Sequence, residues 1–212
     1  ATRVIATFEN LSTLRMLELE KLTLEWLSKN APEIKVLAAS PNLMFSHIGD
    51  RNVKSMIGGT ILALVLISII LIIALRSLKL GRMSLAPNLI PAAIAFGLWA
   101  VLFGQVGMSL ATAIGMTLGI VVDDTVHFLS KYRRARREKG YDAEAAVRYA
   151  FSTVAVAMTV TTLVLVAGFG ILTLSKFSMN ADMGLMTAMT ILIALIVDLL
   201  FLPALLIAAE KK

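Results

Sequence analysis

The sequence predicts an α-helical membrane protein, in which five transmembrane helices are preceded by the end of an α/β exterior domain. Of its 212 residues, 58% are hydrophobic and only 16% are charged, and the mean hydropathy is +0.84. A water-soluble domain carries more polar surface than this. Five apolar runs are long enough to cross about 30 Å of hydrocarbon, which takes roughly 20 helical residues.

Residues 1–40 are predicted to be the C-terminal part of a β-α-β exterior domain. "RVIATFEN" and "EIKVLAA" have strand character, and between them a helical run begins at a possible Ser12 cap. Two short strands and one helix cannot bury a sizeable core. We therefore expect the missing sheet neighbours to lie upstream, with this chain cut from a longer protein. Residues 41–56 are predicted to form a connecting helix that leads into the first span.

The transmembrane domain is predicted over residues 57–210. Its spans are 57–75, 83–103, 108–129, 151–174 and 184–208. The loops at 76–82 and 131–140 are basic, whereas "GQVG" at 104–107 carries no basic residue and 175–183 carries only Lys176. By the positive-inside rule the basic loops and the "EKK" tail are cytoplasmic, and the N-terminal segment is exterior. The net charge of +6 is thus assigned to the membrane surface, and no nucleic-acid partner is expected.

The third span contains an unexpected pair of acids, in "GIVVDDTVHFL" at residues 119–129. An ionisable group in hydrocarbon costs roughly 2.5–3.5 kcal/mol on insertion scales. On a helix, one face is shared by residues spaced four apart: Ala111, Gly115, Gly119, Asp123 and His127. Small residues at this spacing allow a second helix to approach closely, so Asp123 is predicted to point into a helix–helix interface. Asp124 is turned about 100° away, toward the stripe of Thr117, Val121 and Phe128.

Two adjacent carboxylates in a low-dielectric site titrate as a coupled pair, which suits a group that binds and releases protons. Asp198, in "ALIVDLLFLPALL", is a further intramembrane acid, and His127 could extend a proton path to the cytoplasm. We therefore predict a proton relay of Asp123, Asp124, Asp198 and His127. Two simpler interpretations stay open: the acids anchor the helix by pairing with Lys131 or Arg133, and His127 is structural.

Polar and small residues of the fourth span are predicted to support this relay. The hydroxyls of Thr159, Thr161 and Thr162 can reach a carboxylate or bond to carbonyls of the preceding turn. Gly168 and Gly170 are predicted, like Gly115 and Gly119, to permit helix packing. The chain has no cysteine and no G-x-x-x-x-G-K-[ST] motif, so neither a thiolate metal site nor an ATP-driven pump is predicted. We expect no cofactor, no metal and no enzymatic activity.

The run "GMTLGIVVDDTVHFLSKYRRARREKG" resembles the fourth helix of a repeat in the resistance-nodulation-division (RND) superfamily. The MMPL, hopanoid-exporter and Patched-like branches of that superfamily share a G-x-x-x-D-D pattern, matched here by Gly119, Asp123 and Asp124. Residues from "TVTTLVLVAGFG" to "DLLFLPALL" resemble the last two helices of bacterial RND-type lipid exporters. The resemblance covers about residues 41 to 210.

The resemblance implies the C-terminal half of a secondary active transporter, driven by the proton-motive force and exporting lipid or other hydrophobic molecules. Its implied partners are protons, membrane lipids, the N-terminal half of the same transporter and further copies of the full protein. Its implied location is the bacterial inner membrane, with a periplasmic N-terminal segment and a cytoplasmic C-terminus. Two alternatives remain: a sterol-sensing-like domain that binds lipid and signals, and an accessory subunit for protein export.

Overall fold

The computed structural model describes residues 3–9, 11–104 and 108–210 of the chain. Three parts of the predicted topology lie outside these residues: most of the "GQVG" loop, and Lys211 and Lys212 of the basic tail. The described chain divides into two compact units, Ala1–Ser55 and Met56–Lys212. The helices are α1 (Thr13–Asn30), α2 (Pro41–Ala74), α3 (Leu78–Met83), α4 (Leu85–Phe103), α5 (Met108–Glu138), α6 (Ala143–Leu172), α7 (Ser178–Ile196) and α8 (Leu202–Glu210).

The first unit contains the predicted helix but not the predicted strands. Ser12 caps α1, since its Oγ accepts a hydrogen bond from the Arg15 backbone N–H at 3.4 Å. No residue of α1 is fully buried, so its apolar face is at most partly covered within this unit. Neither "RVIATFEN" nor "EIKVLAA" forms a strand in its described residues. An extended segment becomes a strand only when a neighbour supplies ladder hydrogen bonds, and these two segments do not pair with each other.

Five helical segments of the described chain are long and apolar enough to cross a membrane. They are Pro41–Ala74, Leu78–Phe103, Leu110–Glu138, Ala143–Leu172 and Ser178–Glu210. Each is called a rod below, and two of them join consecutive helices end to end. The predicted transmembrane helices are therefore confirmed in number, although several are longer than the sequence pattern suggested. Residues 143–150, which precede the predicted fourth span, are the first turns of α6. Asp142 caps this helix, because its Oδ1 accepts from the Ala145 backbone N–H at 2.8 Å.

Helices α5, α6 and α7 pack against one another most extensively, and α4 packs against α7 and α5. One buried cluster, which includes Phe128, Tyr132, Ala150 and Leu202, fills the end of the bundle near the basic loops. A second, around Trp99, Leu110 and Met186, fills the opposite end. The buried polar residues that form the candidate site lie on the helices between these clusters.

The rod that ends the chain is not a uniform α-helix. Between α7 and α8, Val197–Phe201 form a π-helical segment. Pro203 explains this irregularity, because its ring lacks an N–H and would crowd the carbonyl four residues earlier in a regular α-helix. A widened turn relieves this conflict. Asp198 lies within the widened turn, so the sequence motif that ends in Pro203 also determines the backbone around this acid.

Candidate functional site

Asp198 is the most deeply buried acid in the described chain. Its residue exposure is 0%, and its Oδ1 lies 2.9 Å from the hydroxyl oxygen of Thr125 on α5. The second carboxyl oxygen, Oδ2, is buried and has no hydrogen-bond partner among the described residues. No described Lys, Arg or His forms an ion pair with Asp198. A buried carboxylate without a cation is costly, so this environment favours the neutral acid.

Thr125 also joins Asp198 to the second span. The same hydroxyl oxygen lies 2.9 Å from Oδ1 of Asn88 on α4 and 3.3 Å from the carbonyl of Val121 on its own helix. Asn88 and Thr125 are both buried, at 3% and 0% exposure. Three helical rods therefore meet at one polar cluster, Asn88–Thr125–Asp198, in an otherwise apolar bundle.

The number of hydrogens in this cluster limits which hydrogen bonds can form at the same time. A hydroxyl carries one hydrogen, so Thr125 can donate to only one of its oxygen neighbours. If Thr125 donates to Asn88, a protonated Asp198 can donate to Thr125. If Thr125 donates to an ionised Asp198, the Asn88 amide must turn so that its NH₂ group faces the hydroxyl. The state of Asp198 is thus tied to the direction of both hydrogen bonds.

Asp124 is half-buried at an open groove between α5 and α6. The groove has a volume of ≈ 790 Å³ and is also lined by Asp123, His127 and Thr161. Asp124 lies within electrostatic range of Asp198. The predicted stripe of Thr117, Val121 and Phe128 is the buried face of α5, at 2%, 2% and 0% exposure. The helical geometry read from the sequence therefore holds, and it places Asp124 at the edge of the core.

Asp123 and His127 lie on the open side of the same groove. His127 Nε2 is 3.5 Å from Asp123 Oδ1, and the side chains are 62% and 72% exposed within this chain. Asp123, predicted to point into a helix–helix interface, is therefore not enclosed by the five spans alone. The physical reason is that the face it shares with Gly115 and Gly119 has open space around both glycines. An interface at Asp123 remains a prediction that requires an additional element.

The threonines predicted to support the acids differ from one another. Thr159 donates to the Ala155 carbonyl at 2.8 Å, and Thr161 lies 3.0 Å from the carbonyls of Ala157 and Met158. These hydroxyls form hydrogen bonds within their own helix, although Thr161 also lines the acidic groove. Thr162 is 1% exposed, and its hydroxyl has no hydrogen-bond partner among the described residues.

Gly184, a glycine that lies in close contact with another helix, is not among those predicted. A Cβ atom at Gly168 or Gly170 would meet no atom within 4 Å. A Cβ atom at Gly184 on α7 would lie 2.6 Å from the Leu172 Cβ and 2.7 Å from the Phe169 carbonyl oxygen. Close packing of α6 and α7 within this chain therefore depends on Gly184. Packing at Gly168 and Gly170 remains a prediction about elements beyond the described residues.

Two residues of the polar cluster, Asn88 and Thr125, were not predicted from the sequence. Both carried a usable signal. Asn88 is an amide in an otherwise apolar span, between Pro87 and Pro91, and polar side chains inside a span usually face the bundle interior. Thr125 directly follows the acid pair, on the face of α5 that turns toward the core.

Comparison with known proteins agrees with this architecture. The family model described as the MMPL family matches residues 21–212. The chain is also 30% identical over 180 residues to a protein of Methanocaldococcus jannaschii that its name describes only as a membrane protein. That match covers 85% of this chain and 46% of the relative, so the chain spans about half of the relative's length. With five potential spans, a buried intramembrane acid and a match that includes all of them, the chain belongs to the MMPL family of transporter-like membrane proteins in the RND superfamily.

Proposed function

We propose that the chain is the C-terminal half of a proton-driven RND-type exporter of lipid or other hydrophobic molecules. The observation that supports this most directly is the buried Asp198, with one oxygen held by Thr125 and the other unpartnered. A structural anchor would have both oxygens satisfied or a cation nearby. An acid that binds and releases a proton needs a carboxyl oxygen that no other group occupies, and Oδ2 of Asp198, which has no hydrogen-bond partner among the described residues, is such an oxygen.

Gain and loss of the proton would change helix packing. When Asp198 is neutral, the cluster with Thr125 and Asn88 can hold α4, α5 and the π-helical segment together. When Asp198 loses its proton, its negative charge lies in an enclosed apolar bundle. Water or a further hydrogen-bond donor would stabilise this charge, and the closed arrangement provides neither to the second oxygen. The two protonation states therefore favour different arrangements of the same helices, which is the requirement for coupling a proton to movement.

The remaining acids extend the proton path from Asp198 to the open groove. Asp124 lies within electrostatic range of Asp198, and Asp123 with His127 faces outward from the five spans. We assign proton exchange between the buried site and the groove to Asp124. We assign the outer part of the relay to Asp123 and His127, in the interface with the N-terminal half.

The rest of the assignment follows from family membership and chain length. The chain spans about half of its relative, so we propose that an N-terminal repeat completes the transporter and that the full protein forms oligomers. We assign the basic loops to the cytoplasmic side and the N-terminal segment to the exterior, and we propose a plasma membrane, such as the bacterial inner membrane, as the location. Hydrophobic substrates are the class that the lipid-exporting branch of the superfamily handles.

The test is export by the full-length protein in vesicles with an imposed pH gradient, with inserted protein measured in parallel. Asp198→Asn keeps the size of the side chain but cannot carry a proton, so we expect it to abolish proton-dependent flux while insertion continues. Asp182→Asn is the matched control, since it makes the same change near the start of α7, in the same rod as Asp198. It should leave flux near the unmodified level.

Two results would contradict the proposal. Unchanged flux in Asp198→Asn would remove this acid from proton coupling. Lipid binding by the unmodified protein without any dependence of flux on the pH gradient would favour a lipid-sensing domain over an exporter.

A further inference from the structure

A cleft at the basic end of the helical bundle, away from the acidic groove, is lined by Arg136 and Lys79, by one acid, Glu210, and by three further arginines. Arg133 and Arg137 lie one turn apart on α5, and Arg76 lies in the turn between α2 and α3. The cleft has a volume of ≈ 360 Å³ and is lined by all three. The positive charges of Arg76 and Arg137 both act on Arg133, so the Arg133 guanidinium lies close to two like charges.

Arg76, Arg133 and Arg137 differ from Arg134 and Arg136, at the same end of the bundle, in lacking an acidic partner among the described residues. Arg134 pairs with Glu138 at 2.7 Å, and Arg136 pairs with Glu210. None of the ion pairs in the described part of the chain includes any of the three cleft arginines. Among the described residues, Arg133 donates a hydrogen bond to a backbone carbonyl, that of Ala74, at 3.4 Å. Since the one acid in the cleft, Glu210, is already paired with Arg136, the cleft keeps an excess of positive charge that an external anion would stabilise.

The backbone at Arg76 gives independent support. Its φ is 39°, and within the described residues it is the only non-glycine residue with positive φ. This conformation favours glycine and costs free energy for a residue with a Cβ. The turn is held tightly, because Gly81 of α3 packs directly on Ile72 of α2. An arginine at a position whose backbone suits glycine is best explained by what its side chain does.

We propose that Arg76, Arg133 and Arg137 bind the phosphate of an acidic phospholipid in the cytoplasmic leaflet. Guanidinium groups bind phosphate through paired hydrogen bonds, and several of them around one cleft match a single phosphodiester. The apolar side chains of Leu80, Met83 and Leu206 line the same cleft. A soluble phosphate compound has no apolar part to pack against these side chains, whereas a lipid can place the start of its acyl chains there. The site also lies at the ends of spanning helices, where headgroups are found.

The experiment uses the full-length protein in detergent, titrated with phosphatidylglycerol or with phosphatidylcholine, with bound lipid counted by native mass spectrometry. We expect phosphatidylglycerol to bind more tightly. Arg76→Gly and Arg137→Gln should each weaken its binding about fivefold, the effect of one basic residue near a membrane surface. Arg148→Gln, an exposed arginine near the start of α6, removes the same charge outside the cleft and should leave the affinity unchanged.

Folding is controlled within the same set of variants. Arg76→Gly removes the backbone strain together with the guanidinium, so its thermal stability should be equal to or higher than that of the unmodified protein. Arg137→Gln changes an exposed side chain and tests the site even if Arg76→Gly alters the turn.

Three outcomes would overturn the assignment. Equal binding of the two lipids would exclude recognition of an acidic headgroup. An equal loss in Arg148→Gln would indicate diffuse surface charge instead of a defined cleft. Displacement of phosphatidylglycerol by glycerol phosphate, at the concentrations at which the lipid itself binds, would identify a soluble phosphate compound as the occupant.

Discussion

The Thr125 hydroxyl oxygen on α5 lies 2.9 Å from Oδ1 of Asp198 in the π-helical segment of the last rod. This contact joins residues 73 positions apart in the chain, inside the bundle where water is scarce. The same hydroxyl contacts Asn88 on α4. A change in the protonation of one carboxyl group can therefore alter the hydrogen bonds that join three rods, without movement of any exposed loop.

The first prediction concerns this hydroxyl. Thr125→Val keeps the shape of the side chain but removes the group that holds both Asn88 and Asp198. Leaving buried polar groups unsatisfied costs about 1–3 kcal/mol, and we expect proton-dependent flux to fall strongly. Thr117→Val is the control, because that hydroxyl is also buried on α5 and, among the described residues, contacts only carbonyls of its own helix. Thermal unfolding and vesicle flux should be measured for both variants, and equal behaviour of the two would argue against the cluster.

The second prediction concerns the proton on Asp198. Burial without a cation favours the neutral acid, so the infrared spectrum at neutral pH should contain the C=O stretch of a protonated carboxyl. This band should disappear in Asp198→Asn and persist in Asp182→Asn. If the band is absent from the unmodified protein, Asp198 is ionised, and the Asn88 amide must donate to Thr125 instead.

The third prediction separates glycines that pack within the chain from those that do not. Gly184→Ala places a Cβ against Leu172 and the Phe169 carbonyl, and overpacking of this kind costs about 1–3 kcal/mol. Gly170→Ala meets open space within this chain and should stabilise its helix slightly. Melting temperatures of the two full-length variants provide the comparison. A large loss in Gly170→Ala would indicate instead that Gly170 packs against a part of the protein outside the described residues.

The spans could be predicted from the sequence because hydrocarbon thickness imposes a length and composition on each helix. The strands could not, because pairing depends on neighbours and not on local alternation alone: "EIKVLAA" alternates, yet it has no ladder partner among the described residues. The burial of Asp198 could not be predicted either, since it depends on where Pro203 widens the turn and on which face of α5 carries Thr125. The angle between Asp123 and Asp124 was predictable, because it follows from helical geometry.

The fourth prediction concerns orientation in the membrane. The chain has no cysteine, so a single introduced cysteine reports one position. Lys79→Cys on α3, in a basic loop region, should resist a membrane-impermeant thiol reagent in intact cells. Lys176→Cys, between α6 and α7, should react. Both side chains are exposed, so access to solvent does not distinguish them. The reverse labelling pattern would overturn the orientation, and with it the cytoplasmic location of the arginine cleft.

The last prediction concerns what Asp123 does that Asp124 does not. Asp123 is exposed in this chain, on a face with two glycines, Gly115 and Gly119, that have open space around them. Small residues beside an acid are suited to the close approach of another helix. We therefore expect the N-terminal half to cover this face in the full-length protein and to enclose Asp123 there.

Two measurements on the full-length protein test this expectation. A cysteine at Gly119 should form a disulfide with a suitably placed cysteine in the N-terminal half, whereas one at Gly58 on α2, a glycine also in open space, should not.

Asp123→Asn should abolish proton-coupled export while insertion is preserved, and Asp124→Asn should retain partial activity. If the acids are only anchors, the defect should instead appear in the amount of inserted protein, with flux per inserted molecule unchanged. Normal flux in Asp123→Asn would remove this acid from the relay and leave proton coupling to Asp124 and Asp198, which this chain itself brings within electrostatic range of each other.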